Sequence, residues 1–175
     1  RLMRLNYVNI MKQPVKISIC SMVLSVLTLI IIAGVFFYQI LGDHSWYAYL
    51  LYAMLLILCL GVLIYMPVSV SVDNKYLCVN RSFWVKRFPL ADIKSIGFIH
   101  PPMKGMRILG SGGWFGYWGW FWTRELGTYF CYYGKASDCF LVRLKNGRMY
   151  MLGCRNPRSI VNYVSERIAG LPKSE

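Results

Sequence analysis

Acidic side chains are scarce in this sequence: 7 Asp and Glu stand against 20 Lys and Arg in 175 residues, a formal net charge of +13. The acids beyond the apolar N-terminal part, Asp73, Asp92, Glu125, Asp138, Glu166 and Glu175, are scattered among expected turns, a helix and the terminus. No two suggest a carboxylate pair for general acid and base work. Histidine is scarcer still. His44 falls in a short polar turn, and His100 has no second histidine near it to complete a metal site or a nucleophile–base pair. Both are read as solvated. The six cysteines, Cys20, Cys59, Cys78, Cys131, Cys139 and Cys154, contain no C-x-x-C pair. That argues against a zinc site and a secreted disulfide framework, and leaves reduced thiols serving as small hydrophobes. The stretch GSGGWF begins like a dinucleotide fingerprint, but Phe115 stands where its third glycine belongs and a row of Trp and Tyr replaces the helix that must follow. No catalytic residue, cofactor or metal is expected.

Charge of either sign is missing from residues 17–42 and again from 45–72. What fills these gaps is apolar, in a chain that is 57% hydrophobic. The run 17–41 has the length that a hydrocarbon core of about 30 Å requires, about 20 residues. The run 46–68 matches it, with Trp46, Tyr47, Tyr49 and Tyr52 at one end and Tyr65 at the other, where an aromatic belt would lie. Only Gly42, Asp43, His44 and Ser45 separate the two, so the reading is a transmembrane helical hairpin over 17–66. The first run is too long for the core of a signal peptide and lacks a small-residue cleavage site. With no ionisable residue inside either run, an ion relay or transport role is disfavoured. The turn carries no Lys or Arg, whereas Arg1, Arg4, Lys12 and Lys16 precede the first run and Lys75, Arg81, Lys86 and Arg87 follow the second. The positive-inside bias therefore predicts that both termini are cytoplasmic. The basic segment 1–16 mixes Leu2, Leu5, Tyr7 and Ile10 with its cations and predicts a short interfacial helix. Met11, opening MKQPVK, reads as a natural start.

After Pro67 the texture alternates. Val68, Val70 and Val72 set against Ser69 and Ser71, the turn pair Asp73-Asn74, then Tyr76 to Val79, predict a β-hairpin. Phe83, Trp84 and Val85 continue as a strand, and Ile93, Ile96 and Phe98 begin another. Near the end, Asn146-Gly147 inside CFLVRLKNGRMYMLG predicts a two-residue type I′ turn. That register sets Lys145 opposite Arg148 and Arg143 opposite Tyr150, with Val142, Leu144, Met149 and Met151 on the core face. Asn156-Pro157 caps a helix striped by Ile160, Val161, Val164 and Ile168, which Gly170 and Pro172 end.

The order VSVSVDNKYLCV, FPLADIKSI and CFLVRLKNGRMYMLGCRNPRSIVNYV resembles the bacterial PH-domain membrane proteins, in which a helical hairpin precedes a small PH-like domain. The resemblance implies an α+β membrane protein of the bacterial inner membrane. Residues 67–175 would form a cytoplasmic PH-like antiparallel β-barrel or sandwich closed by a C-terminal amphipathic helix. Lipid-binding PH domains gather cations around their first hairpin, where this chain has only Lys75.

The expected function is therefore a non-enzymatic adaptor or accessory subunit that associates with a protein partner or a second copy at the inner leaflet. A sensor of anionic headgroups is the alternative. Cations beside aromatics also suit single-stranded RNA, but no RNA motif is present and no nucleic-acid partner is expected. Arg143, Lys145 and Arg148 form the expected anion-facing patch. Residues 110–122 interleave five glycines with Trp114, Phe115, Tyr117, Trp118, Trp120, Phe121 and Trp122. Glycine at this density disfavours both helix and strand, so the segment is expected to be a loop, within a connection of about 30 residues, that meets the membrane interface or a partner. Arg107 and Arg124 flank it as contacts for lipid phosphate.

Overall fold

Two helices form where the chain lacks charge: α1 (Ile19–Leu41) and α2 (Trp46–Tyr65), in a computed structural model that describes residues 11–42, 45–99 and 106–170. At 1.5 Å per residue they are about 35 and 30 Å long, and both are long and apolar enough to cross a membrane. Their Leu, Ile, Val and Phe side chains are largely exposed, as on helices solvated by lipid. Phe36 stacks on Tyr52 between them, with ring centroids 4.8 Å apart. The chain is thus membrane-associated. The expected residues 1–10, Asp43, His44, His100 and Pro172 lie outside the described residues.

The interfacial helix expected over 1–16 is not what its described residues form. Met11–Pro14 is instead a strand, β1, that pairs antiparallel with β2 (Pro67–Val72), Met11 opposite Val72 and Pro14 opposite Ser69. A sheet edge offered by the domain outweighs the local amphipathic pattern. β3 (Tyr76–Arg81) and β4 (Val85–Pro89) complete a four-stranded sheet in the order β1-β2-β3-β4. Phe83 and Trp84 lie in the turn before β4, not in a strand. A short 3₁₀ turn (Leu90–Asp92) leads to β5 (Ile93–Phe98).

The second sheet holds β6 (Met106–Gly113), β7 (Gly116–Thr123), β8 (Gly127–Tyr133), β9 (Cys139–Leu144) and β10 (Met149–Gly153) with β5, in the order β5-β9-β10-β8-β7-β6. β10 lies between β9 and β8, and its pairing with β8 is parallel, a departure from the all-antiparallel expectation. The segment expected to be a loop is a β-hairpin, β6–β7, continued by β8. Glycine permits this because it sits where two backbones touch. Gly110 opposes Gly119 at φ +132° and +127°, and a Cβ on either would lie 2.2 Å from a carbonyl oxygen of the facing strand. These are conformations that only glycine adopts without strain.

Val70, Val72, Leu77, Val79 and Phe88 from the first sheet meet Phe140, Val142, Leu144, Tyr150 and Leu152 from the second in one buried core. α3 (Pro157–Ala169) closes it with Ile160, Val161 and Val164. The expected N-cap, Asn156, precedes it, with Pro157 in the first turn but without a side-chain cap bond. A smaller cluster, Phe121, Tyr129, Cys131, Tyr133, Cys139 and Met151, covers the opposite face of the second sheet. The cysteines are free. Burial pushes the thiols of Cys131 and Cys139 well up and that of Cys154 up to about 12, so they are inert packing groups.

Gly110→Ala or Gly119→Ala is expected to lower the unfolding free energy by about 1–3 kcal/mol or more. The readout is the midpoint of a denaturant titration of the detergent-solubilised protein. Gly97→Ala, where nothing lies within 4 Å of an added Cβ, leaves that midpoint in place.

Candidate membrane-proximal interaction site

The chain approaching α1 and the chain leaving α2 are both built into the β-domain. On the first side, the Val15 N–H donates to the Val68 carbonyl at 2.9 Å, the Ser18 N–H to the Gly134 carbonyl at 2.9 Å, and the Arg155 N–H to the Pro14 carbonyl at 2.8 Å. Gly134 admits this crossing because a Cβ there would lie 2.2 Å from the Lys16 carbonyl oxygen. On the other side only Met66 separates α2 from β2. The domain has no linker on which to swing.

The β6–β7 hairpin makes a third attachment. Its tip, Trp114 and Phe115, meets α1: the Phe115 N–H donates to Ser25 Oγ at 2.9 Å, while the Ser25 hydroxyl donates to the Ser21 carbonyl at 2.7 Å. Phe115 holds φ +52°, a value uncommon for a residue with a side chain. Trp118 stacks on Tyr65, the last residue of α2, with centroids 5.1 Å apart. The Arg81 guanidinium lies between two rings, 5.4 Å from that of Tyr65 and 5.8 Å from that of Tyr132. Trp118, Tyr65, Arg81 and Tyr132 therefore form one continuous contact from hairpin through helix to core. Burial raises the Tyr132 phenol, with Arg81 pulling the other way, so the ring faces the cation in neutral form.

Along β7 the aromatics divide by strand alternation. Phe121 is buried in the smaller cluster and Tyr117 stacks on Tyr133 at 4.8 Å. The other face carries Trp118, Trp120, which meets Phe130 edge-on at 5.0 Å, and Trp122, which is exposed. The indole nitrogens of Trp114 and Trp118 are buried with no hydrogen-bond partner among the described residues. Between hairpin and helices lies a cleft of about 390 Å³ walled by Leu24, Leu58, Val62, Trp114 and Trp118, with Arg107 its cation. Arg124 is elsewhere, in the β7–β8 turn at the far end of β7 from the tip, so the two expected phosphate contacts are not brought together.

Residues 68–168, more than half of the chain, match the family described as bacterial PH domain. The chain belongs to that family. No curated protein and no solved structure matches it. Family membership accounts for the two sheets and the closing helix and carries a general role in lipid or protein interaction. Among the described residues of this bacterial PH-domain protein, no three of His, Cys, Asp and Glu are grouped to hold a metal ion.

The last hairpin of the PH domain corrects an expected register. Leu144 N–H donates to the Arg148 carbonyl at 2.9 Å and Gly147 N–H to the Leu144 carbonyl at 3.1 Å, so the turn has three residues, with Gly147 at φ +82°. One extra turn residue moves every pairing by one. Arg143 opposes Met149, while Tyr150 and Leu152 face the main core and Met149 and Met151 the smaller cluster. Of the expected anion-facing cations, Arg143 and Lys145 share a hollow of about 310 Å³ with Lys94 and Glu125, and Arg148 is not in its wall. An acid of the chain itself thus stands among these cations.

Ser21, Ser25 and Tyr132 are not among the residues that the sequence singles out, and Tyr65 and Arg81 are expected only in the aromatic belt and among the cations that follow the second run. The one sequence signal was Ser21 and Ser25, four apart and so on one face of an apolar helix, a spacing that suits close packing there. In a double-mutant cycle on Tyr65→Leu and Arg81→Met, a coupling of about 0.5–2 kcal/mol is expected from denaturant titration. Additive effects would show that the stacked geometry contributes nothing.

Proposed function

We propose that this chain is a non-enzymatic, membrane-anchored adaptor or accessory subunit of the bacterial inner membrane. Both termini are cytoplasmic, and the PH domain associates at the inner-leaflet surface with a protein partner, a second copy included. The observation that carries this reading is strand β6. Among the described residues it ends the six-stranded sheet with β7 as its single neighbour, and it exposes Met106, Ile108 and Leu109. An apolar edge strand offers both unpaired backbone groups and side-chain area, the two things that strand addition by another chain uses. The fixed seating of the domain supports the reading, because a surface held in one orientation meets its partner without the cost of ordering a linker.

A second reading, binding of anionic lipid, is favoured by the cleft between hairpin and helices. Its apolar walls come from α1, α2 and the β6–β7 hairpin, and Arg107 supplies a cation for a phosphate. A photo-reactive amino acid at Ile108 of the full chain in native membranes separates the two. Adducts to a protein, either a discrete partner or a second copy, support the adaptor, and adducts to lipid alone support the second reading.

Topology has its own check. A cysteine replacing Asn146 in the exposed last turn is expected to react with an impermeant thiol reagent only after cells are permeabilised, and one replacing Ser45 to react in intact cells. The reverse pattern would put the PH domain outside the cytoplasm.

A further inference from the structure

We propose that the β3–β4 turn, carrying Phe83 and Trp84, is inserted in the headgroup layer of the bilayer and forms a second membrane contact of the PH domain beside the helices. The inference rests on the reading that α1 and α2 cross the bilayer with the domain seated on its surface. It adds a site that neither the family nor the aromatic β6–β7 hairpin implies.

The register of the first sheet sets the position. β2 leaves α2 at Pro67 and runs away from the helices, and antiparallel β3 returns until Arg81 lies opposite Pro67. Residues 82–84 therefore project past the level of Pro67 on the helix side. Two residues at about 3.3 Å each carry the turn some 7 Å in that direction, alongside the last turn of α2. Arg81 fixes the turn there from both sides. Its guanidinium lies over the ring of Tyr65, the last helical residue, and its N–H donates to the Trp84 carbonyl at 2.9 Å, closing the turn.

The side chains at this place are the wrong ones for water. Phe83 is 72% exposed and Trp84 63%, next to each other at the tip of a turn, a position that Gly, Asn, Asp and Ser ordinarily fill. They are right for the interface: Trp is enriched at the headgroup level, where its ring meets acyl chains and its N–H meets water. Lys86, two residues on, follows the aromatics with a cation, as suits an anionic leaflet. The occupant is the bilayer itself because Arg81, which opens the turn, rests on the ring of Tyr65 at the end of a helix long and apolar enough to cross it. A partner protein would have to approach through the lipid.

Spin labels measure the depth directly. In full-length protein with Cys20 and Cys78 replaced by Ser, reconstituted in vesicles of phosphatidylglycerol and phosphatidylethanolamine, nitroxides are placed singly at Phe83→Cys, Trp84→Cys, Leu27→Cys and Asn146→Cys. Leu27 is a lipid-facing reference and Asn146 an aqueous one. Labels at 83 and 84 are expected to collide with oxygen more than with a water-soluble nickel chelate, as at 27 and opposite to 146. A label at 27 in lipid with labels at 83 and 84 open to the chelate would overturn the inference and leave the membrane reading standing. Labels at 83 and 84 closed to both reagents would overturn it in favour of a protein contact. A label at 27 open to the chelate would overturn the membrane reading itself.

Discussion

Everything in this molecule depends on one closure: the strand that precedes the helical hairpin and the strand that follows it are neighbours in one sheet. Four residue pairs between Met11–Pro14 and β2 bring the two ends of the hairpin together. Three further backbone hydrogen bonds, at Pro14, Val15 and Ser18, tie the approach to α1 to elements of both sheets. Helices that begin and end in one small domain must lie side by side, and a domain held at both ends cannot tilt freely. Both stalks are short, since Ile19 opens α1 five residues after Pro14 and Met66 alone leads out of α2.

The aromatic hairpin uses that rigidity. In an independent loop, its glycines would add conformational entropy and its indoles would need water. Paired as β6 and β7, the glycines become points of close backbone approach, and the rings divide between a core face and a face turned along the main core and the helix ends. Two indole nitrogens have no partner among the described residues, each a cost of about 1–3 kcal/mol if no donor–acceptor exchange replaces the lost water. The stack of Trp118 on Tyr65 and the cation between Tyr65 and Tyr132 offset part of it. Polar economy here is subordinate to holding the domain in place.

Charge follows the same division. The excess of cations belongs mainly to the domain and its approach segment, and the helices carry none. Yet the cations named among the described residues are not gathered into one anion site: Arg107 faces the helix cleft, Arg81 is held between rings, and Arg143 and Lys145 share their hollow with Glu125. A distributed positive field of this kind favours attraction to an anionic surface over recognition of one headgroup.

The sequence by itself determined the two apolar helices, because the length of an uncharged run is a local property that the hydrocarbon thickness reads directly. It also determined the inward Val70 and Val72 of β2 and the stripe of α3, since a period of two or of 3.6 depends on neighbours along the chain alone, whereas a register shift between Pro67 and Ser69 turns Val68 outward and buries Ser69 against the expected alternation. Three features were decided only by tertiary structure. Residues 11–14 became a strand because β2, more than 50 positions away, offered an edge. Residues 110–122 became strands because Gly110 and Gly119 face each other, a relation that exists only once the chain has folded back. The last turn took three residues where Asn-Gly suggests two, which exchanged Met149 and Met151 for Tyr150 and Leu152 on the main core face. In each case the deciding free energy lies in contacts between distant segments, and local propensity, worth a few tenths of a kcal/mol to about 1 kcal/mol per residue, is too small to oppose them.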